Sequence, residues 1–287
     1  MLKITNTDIF GWNAAIRGMR NPMNSWEKSD SYWTHIENPK TLATAPYQFF
    51  LGDNDHDLMM RLAESGSDHA KFRRMIHVQM DILAPLYWWK EFDTYKVGTV
   101  ANSCSTMHKI HAKEFTLEDF SCEHLFASPW EKDEEMPDFE SISNEKFKEW
   151  NALGDDKFKV PPPVGPEAME VDWHLENGAY YADESITDDG DTYVDCSYAK
   201  DILDHTILAM NRYRSKFLET HDKKYWWQMI QLLPTSYNQL RTVDLNYEVL
   251  HNIYHARKNH KLDEWHTFCE WIENLPYSEV ITGAKSE

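Results

Sequence analysis

Residues 160–167 read VPPPVGPE and lie between two acidic stretches, EKDEEMPDFE at 131–140 and ADESITDDGD at 182–191. Pro161, Pro162, Pro163 and Pro166 remove backbone donors and fix φ, so no regular helix is expected across them. The segment from about 114 to 196 therefore reads as lying outside the core. A compact domain must be assembled from the two ends of the chain, with the middle as a long insertion holding only short elements. The expected division is 1–113 as the first part of a domain, 114–195 as an acidic, proline-containing insertion, and 196–287 as a helical second part of the same domain.

The ends have the material for it. Of 287 residues, 41% are hydrophobic and 14% aromatic, with 12 Trp, which excludes global disorder. Acidic residues outnumber basic ones by 48 to 29, a net charge of −19. A general affinity for nucleic-acid backbone is excluded by that balance, because phosphate tracking needs a positive surface. Small anionic ligands are compatible with it, since a few converging cations can hold a phosphate on an acidic protein. Cys104, Cys122, Cys196 and Cys269 are scattered, with no CxxC pair to signal zinc or a disulfide framework. The start, MLKITNTDIF, has no basic segment followed by an apolar one, and no apolar run reaches membrane-spanning length. The expectation is a cytoplasmic protein with no membrane partner and no nucleic-acid partner.

Apolar spacing predicts a helix over 55–66, a strand over 69–80, and a helix over 81–92 with Pro85 in its first turn. Further helices are predicted at 196–220, 223–233, 243–257 and 262–273. In the first of these, Ile202, Leu203, Ile207, Leu208, Met210 and Tyr213 form one broad apolar face. The pairs Trp88-Trp89 and Trp226-Trp227 read as core. There is no internal repeat.

Among candidate sites, His251 and His255 share a helix face, as could His108 and His111, and Asp263-x2-His266 stands alone. None completes the three or four ligands of a metal site, so no metal is expected. No GxSxG elbow, phosphate-binding GxxxxGK[ST] loop or GxGxxG fingerprint occurs. Cys104 between Ser103 and Ser105 reads as a packed small residue before it reads as a nucleophile. Three polar clusters remain beside apolar helices: Arg17, Arg20, Asn21 and Asn24; Asp68 and His69; and Asn246, Asn252 and Arg257. Arg257 ends its helix, where a cation also suits the helix dipole.

The order of these segments resembles the flavin-dependent thymidylate synthases (ThyX). Met19-Arg20-Asn21-Pro22 parallels the family's early Arg-Asn-Pro segment, and Asp68-His69-Ala70-Lys71-Phe72 parallels its Glu-His-x-x-Phe. Leu233-Pro234, followed by Asn246, Leu250, Ile253 and Arg257, keeps the spacing of the family's Leu-Pro and N-x-x-x-L-x-x-F-x-x-L-R. The resemblance covers roughly 12–110 and 196–275. It departs in the middle: Lys90-Glu91-Phe92 stands for R-H-R, Met107 for a phosphate-binding Arg, Ser103 for a Glu, and Ile230 for the Arg before Leu-Pro. Each charge-assisted hydrogen bond so lost is worth about 1.5–3 kcal/mol.

What the resemblance implies is an α+β fold with a central antiparallel sheet flanked by helices, carrying the long acidic insertion. It implies transfer of a one-carbon unit to C5 of dUMP or a related pyrimidine nucleotide. FAD would be the cofactor, with methylene-tetrahydrofolate and NADPH as co-substrates, in a homotetramer. By carry-over, Arg257 is the catalytic guanidinium against the pyrimidine. His69, Lys90, Asn246 and Asn252 contact the flavin, and Asn102, Ser103, Ser105 and His108 the nucleotide. A different class keeps the fold without the chemistry: a nucleotide-binding or oligomeric interaction protein in which Lys90-Glu91-Phe92 marks lost flavin binding. A third is a structural subunit of an α+β assembly.

Overall fold

The computed structural model of the chain describes residues 1–37, 44–126, 173–176, 179–182 and 199–283. The chain divides into two compact units, one of residues 1–109 with 234–287 and one of residues 110–233. EKDEEMPDFE, VPPPVGPE, nearly all of ADESITDDGD, and Cys196 lie outside the described residues.

The first unit is organised by a four-stranded antiparallel sheet. Its strands are β1 (Lys3–Phe10), β4 (His77–Pro85), β5 (Val100–Ser103) and β8 (Asn238–Asn246), in the order β1-β4-β8-β5. A separate hairpin pairs β2 (Tyr32–Glu37) with β3 (Thr44–Phe50). Strand β4 alternates strictly: Val78, Met80, Ile82 and Ala84 are buried, while His77, Gln79 and Asp81 face the other way. It pairs residue for residue with β8, from His77 opposite Asn246 to Pro85 opposite Asn238, so Val243 and Leu245 join the same buried face.

Helices cover that face. They are α1 (Trp12–Arg20), α2 (Asp53–Glu64), α3 (Leu86–Phe92), α6 (Tyr247–Arg257), α7 (Asp263–Glu273) and the short α8 (Glu279–Thr282). Trp88 is fully buried, stacked on Phe92 at 5.0 Å and against Trp265 at 4.8 Å, so one cluster joins α3 to α7. Gly11 opens α1 with φ at +98°, and a side chain there would meet the Met75 carbonyl oxygen at 1.9 Å, so only glycine fits. A buried ion pair ties α1 to α2. Arg20 Nε lies 2.6 Å from Asp55 Oδ1, and the Ser29 and Ser31 hydroxyls donate to Asp55 Oδ2 at 2.8 and 2.6 Å.

Three element predictions are corrected. The strand expected over 69–80 is a 3-10 helix at Ala70–Met75 followed by β4, which runs on to Pro85. The helix expected over 81–92 begins only at Leu86: the period-2 burial of Ile82 and Ala84 continues to the proline, which ends the strand rather than opening a helix. The helix expected over 243–257 begins at Tyr247, because Asn246 caps it, its side-chain oxygen accepting from the Val249 N–H at 3.1 Å. Helices α2 and α7 lie within two residues of their predicted spans.

In the second unit, α4 (Ala199–Thr220) and α5 (Lys223–Leu232) sit at the predicted places. The apolar face of α4 is narrower than predicted: Leu203, Ile207 and Met210 are buried, whereas Ile202 and Leu208 are more than half exposed. Trp227, read as core, is 42% exposed, with Lys223 Nζ 5.5 Å from its ring. Asn211 of α4 clamps the backbone of Phe115, accepting from its N–H at 2.9 Å and donating to its carbonyl at 2.8 Å. A hairpin of β6 (Trp173–Glu176) and β7 (Ala179–Ala182) belongs to the same unit.

Candidate functional site

Helix α3 has seven residues and turns Trp88, Trp89 and Phe92 into the core. That leaves Lys90 and Glu91 on its outer side. Lys90 is exposed. Glu91 is half-buried and meets the end of α6, where its Oε2 accepts from Arg257 Nη1 at 2.7 Å. The same oxygen accepts from Trp265 Nε1 at 3.0 Å and lies 3.4 Å from His260 Nε2. Trp265 is fully buried, so its indole N–H needs a partner, and Glu91 supplies it. Arg257 Nε in turn donates to the Tyr95 hydroxyl at 2.9 Å. The guanidinium carbon lies 4.9 Å from the centre of the Trp265 ring and 5.7 Å from that of Tyr95. An ion-paired hydrogen bond to Glu91, a second hydrogen bond to Tyr95 and two aromatic rings thus hold Arg257 in one pose.

A second arginine, absent from the sequence reading, stands nearby on β8. Arg241 lies opposite Ser103 of β5 and places its guanidinium 4.1 Å from the Trp89 ring centre. It donates to Asp93 Oδ1 at 2.7 Å and to Gln239 Oε1 at 2.9 Å. Its signal was the two-residue period of β8, which the helix prediction over 243–257 concealed. Arg20, Arg73, Arg241 and Arg257 each face a carboxylate: Asp55, Glu248, Asp93 and Glu91. These four arginines are engaged within the chain.

The predicted nucleotide residues form one strip. Asn102 and Ser103 are exposed on β5, opposite Thr242 and Arg241. Ser105 closes the turn that follows, its hydroxyl oxygen accepting from the N–H groups of Met107 at 3.2 Å and His108 at 2.9 Å. The exposed His108 side chain leaves that turn.

The predicted flavin residues are dispersed. His69 is exposed ahead of the 3-10 helix, and Asn252 is exposed in the middle of α6. Asn246 is buried, capping α6. Its amide nitrogen lies 2.8 Å from where a side chain at Gly98 would begin, beside the start of β5. Asn246 and Arg257 stand at opposite ends of α6, about 16 Å apart along its axis. The structure joins Arg257 to Glu91, next to Lys90, and joins Asn246 to the loop before β5. It does not gather the predicted residues around one point.

Among the described residues, no group of three or more His, Cys, Asp or Glu side chains could hold a metal ion. His251 and His255 do meet, edge to face with ring centres 4.4 Å apart, and His251 Nδ1 is 2.7 Å from the Ile281 carbonyl. Burial, then the neighbouring His251, lowers the pKa of His255 below the ordinary histidine value. No helix among the described residues is long and apolar enough to cross a membrane.

Two solved structures superpose on the whole chain. Thymidylate Synthase X (ThyX) from Helicobacter pylori with FAD and dUMP matches with a TM-score of 0.52, over 99% of this chain and 98% of that one, at 12% identity. A second crystal structure, of the same organism's flavin-dependent thymidylate synthase complexed with FAD and dUMP, gives 0.53, 99%, 100% and 12%. The chain has a ThyX-like α+β fold. At that identity the likeness is one of architecture: an antiparallel sheet flanked by helices. No protein-family model matches the sequence, and no curated protein matches it.

Proposed function

We propose that the protein is a flavin-dependent enzyme of the thymidylate synthase type, transferring a one-carbon unit to C5 of dUMP or a related pyrimidine nucleotide. One observation carries the reading. In a fold shared with a protein that binds FAD and dUMP, the arginine at the end of α6 is held rigid between two aromatic rings and stays 19% exposed. A guanidinium so placed stabilises the negative charge that builds on a pyrimidine carbonyl as C5 becomes nucleophilic. The pose exists before any ligand arrives, so none of the stabilisation is lost to reorganising the side chain.

The donors present fit FAD in part. Lys90, His69 and Asn252 are exposed and make no side-chain hydrogen bond among the described residues, so they can hold it. Asn246 keeps its amide nitrogen, its oxygen being the cap. Four arginines are engaged by carboxylates, so the diphosphate would fall to other cations: lysines, as point charges rather than forked donors, or the exposed Arg17 and Arg74. When bound, FAD supplies the hydride that completes reduction of the transferred carbon. Asn102, Ser103, Ser105 and His108 would orient the nucleotide. Methylene-tetrahydrofolate as donor and NADPH as reductant complete the reading, as do a cytoplasmic location and a homotetramer in which dispersed donors converge from different copies.

A second reading, a nucleotide-binding or interaction protein without the chemistry, is favoured by Glu91. It stands in the R-H-R position and offsets the charge of Arg257.

Purified protein separates the two. The enzyme is expected to carry or take up FAD near one per chain, to bind dUMP by calorimetry, and to oxidise reduced flavin in a reaction that needs both nucleotide and folate. Replacing Arg257 by Ala should lower turnover by about a hundredfold or more while leaving the oligomer in place. Protein that binds dUMP but takes up no added FAD supports the second reading. Protein that binds neither sinks the enzyme and the nucleotide-binding form of the second reading, leaving an interaction protein.

A further inference from the structure

The pairing of Glu91 with Arg257 is one-sided. Glu91 Oε2 makes every contact of that carboxylate: Arg257 Nη1 at 2.7 Å, Trp265 Nε1 at 3.0 Å and His260 Nε2 at 3.4 Å. Among the described residues, Oε1 has no hydrogen-bond partner, and neither has Nη2 of Arg257, whose other nitrogens are taken by Glu91 and Tyr95. Both side chains reach solvent, at 34% and 19% exposure. The pair therefore offers a ligand one anionic acceptor and one cationic donor.

Few groups satisfy both. A phosphate or carboxylate would meet Nη2 and be repelled at Oε1, and an ammonium would do the reverse. Either would leave one charge of the pair unanswered as the contact closes, a cost larger than the gain from a single hydrogen bond. A neutral group with an N–H beside a carbonyl answers both. On a pyrimidine nucleotide that group is the imide edge of uracil, N3–H with an oxygen on either side.

Resting on the reading above, we infer that Glu91 is a specificity-determining residue that accepts from uracil N3–H through Oε1 while Arg257 Nη2 donates to an adjacent carbonyl oxygen. The carboxylate then has a task in the site. It keeps N3 protonated, so charge developing in the ring is carried on an oxygen that faces the guanidinium. It also bars phosphate from Arg257, which leaves the nucleotide only one way round.

The test uses the full-length protein, with dUMP, N3-methyl-dUMP and dCMP as probes and calorimetry as the readout. Wild-type protein should bind dUMP about tenfold or more tightly than N3-methyl-dUMP, which keeps both carbonyls but carries a methyl group in place of the N3 proton. In Glu91→Gln the oxygen that accepts from Trp265 can be kept, so the fold should survive. The ratio between dUMP and N3-methyl-dUMP should fall to within about threefold, because the variant and the methyl group remove the same contact. Equal affinity of wild-type protein for dUMP and N3-methyl-dUMP overturns the inference, as does dCMP binding as tightly as dUMP. A ratio unchanged in Glu91→Gln overturns it too. In all three results the protein still binds nucleotide, so the functional reading stands. Absence of any dUMP binding removes that reading and the inference with it. Should Glu91→Gln fail to fold, the wild-type comparisons of dUMP with both N3-methyl-dUMP and dCMP decide.

Discussion

At the scale of the residue, the protein relies on arginine–carboxylate pairs, and their environments set what each is worth. Arg257–Glu91 is partly exposed, so the pair itself contributes only about 1 kcal/mol and serves mainly to fix a pose. Arg20–Asp55 is different, because Asp55 is fully buried. Burial alone would raise the Asp55 pKa, but hydrogen bonds from Ser31, Ser29 and Arg20, with the Arg20 charge, outweigh it and hold the carboxyl below its ordinary value. A depressed folded-state pKa means stability that is fully present above the unfolded value of about 3.9 and lost as pH falls through the folded one. Asp55→Ala strands the buried Arg20 guanidinium and should cost about 3–5 kcal/mol at neutral pH. Urea titrations should show the gap between variant and wild type shrinking below about pH 4, and a gap that stays constant into acid would exclude the assignment. The sequence displayed the arginines of these two pairs, Arg20 and Arg257, but neither Arg73 nor Arg241. Arg257 could be seen as a cation ending a helix, in register with the family's Asn-to-Arg spacing. Its partner could not, since Glu91 lies 166 residues away and meets Arg257 only where α3 reaches the end of α6 in the folded chain. Asn246 shows the same limit from the other direction: the spacing marked it as special, but its visible duty in the fold is to cap a helix.

At the scale of the element, what could be read from sequence depended on how many faces were buried. Helices α2 and α7 bury one stripe each, so their spacing announced them. Strand β5 is exposed at all four residues, and β1 is largely exposed with a register shift between Thr5 and Asp8, so neither carries an alternating signal. Strand β4 does alternate, but its partner β8 is distant in sequence, and without that pairing the pattern around Pro85 fitted a helix start equally well. The junction of β8 with α6 is where local chemistry decides the outcome. Asn246 ends the strand and caps the helix, and Gly98, at φ +80°, leaves room for its amide. Asn246→Ala should cost about 1 kcal/mol as a lost cap. Gly98→Ala should cost more, because it adds a left-handed alanine to a displaced cap. Since both changes disturb the same cap, their costs should sum to more than the double variant shows, by about 0.5 kcal/mol or more. Chemical denaturation of the four proteins measures this directly, and strict additivity would mean that Gly98 does not act through Asn246.

At the scale of the whole molecule, the first unit closes only when both ends of the chain are present. Strand β8 lies between β4 and β5, and every residue of β4 pairs with it. His77 reaches Asp244 across 167 positions, so the central ladder is made of non-local contacts. Residues 104–237, between the end of β5 and the start of β8, account for that distance. A long stretch of chain separates β4 and β5 from β8, with which they must pair, and each part alone has an apolar surface and no cover for it. A chain ending at Leu233 would keep Val78, Met80 and Ile82 on β4 but lose the helices α6 and α7 that bury them. It would also leave β4 with an unpaired edge, a template for association with other chains. Such a truncated protein should show no cooperative unfolding transition for this unit, should elute as aggregate, and should lose the near-ultraviolet circular dichroism that comes from Trp88 packed against Trp265 and Phe268. Supplying residues 234–287 as a separate chain during refolding should restore part of that signal, because β8 carries its own pairing register and its helices their own apolar stripes. If the truncated chain instead unfolded cooperatively and stayed monomeric, the core would have to be complete without β8. The site would then need to be explained without the contact between Glu91 and Arg257.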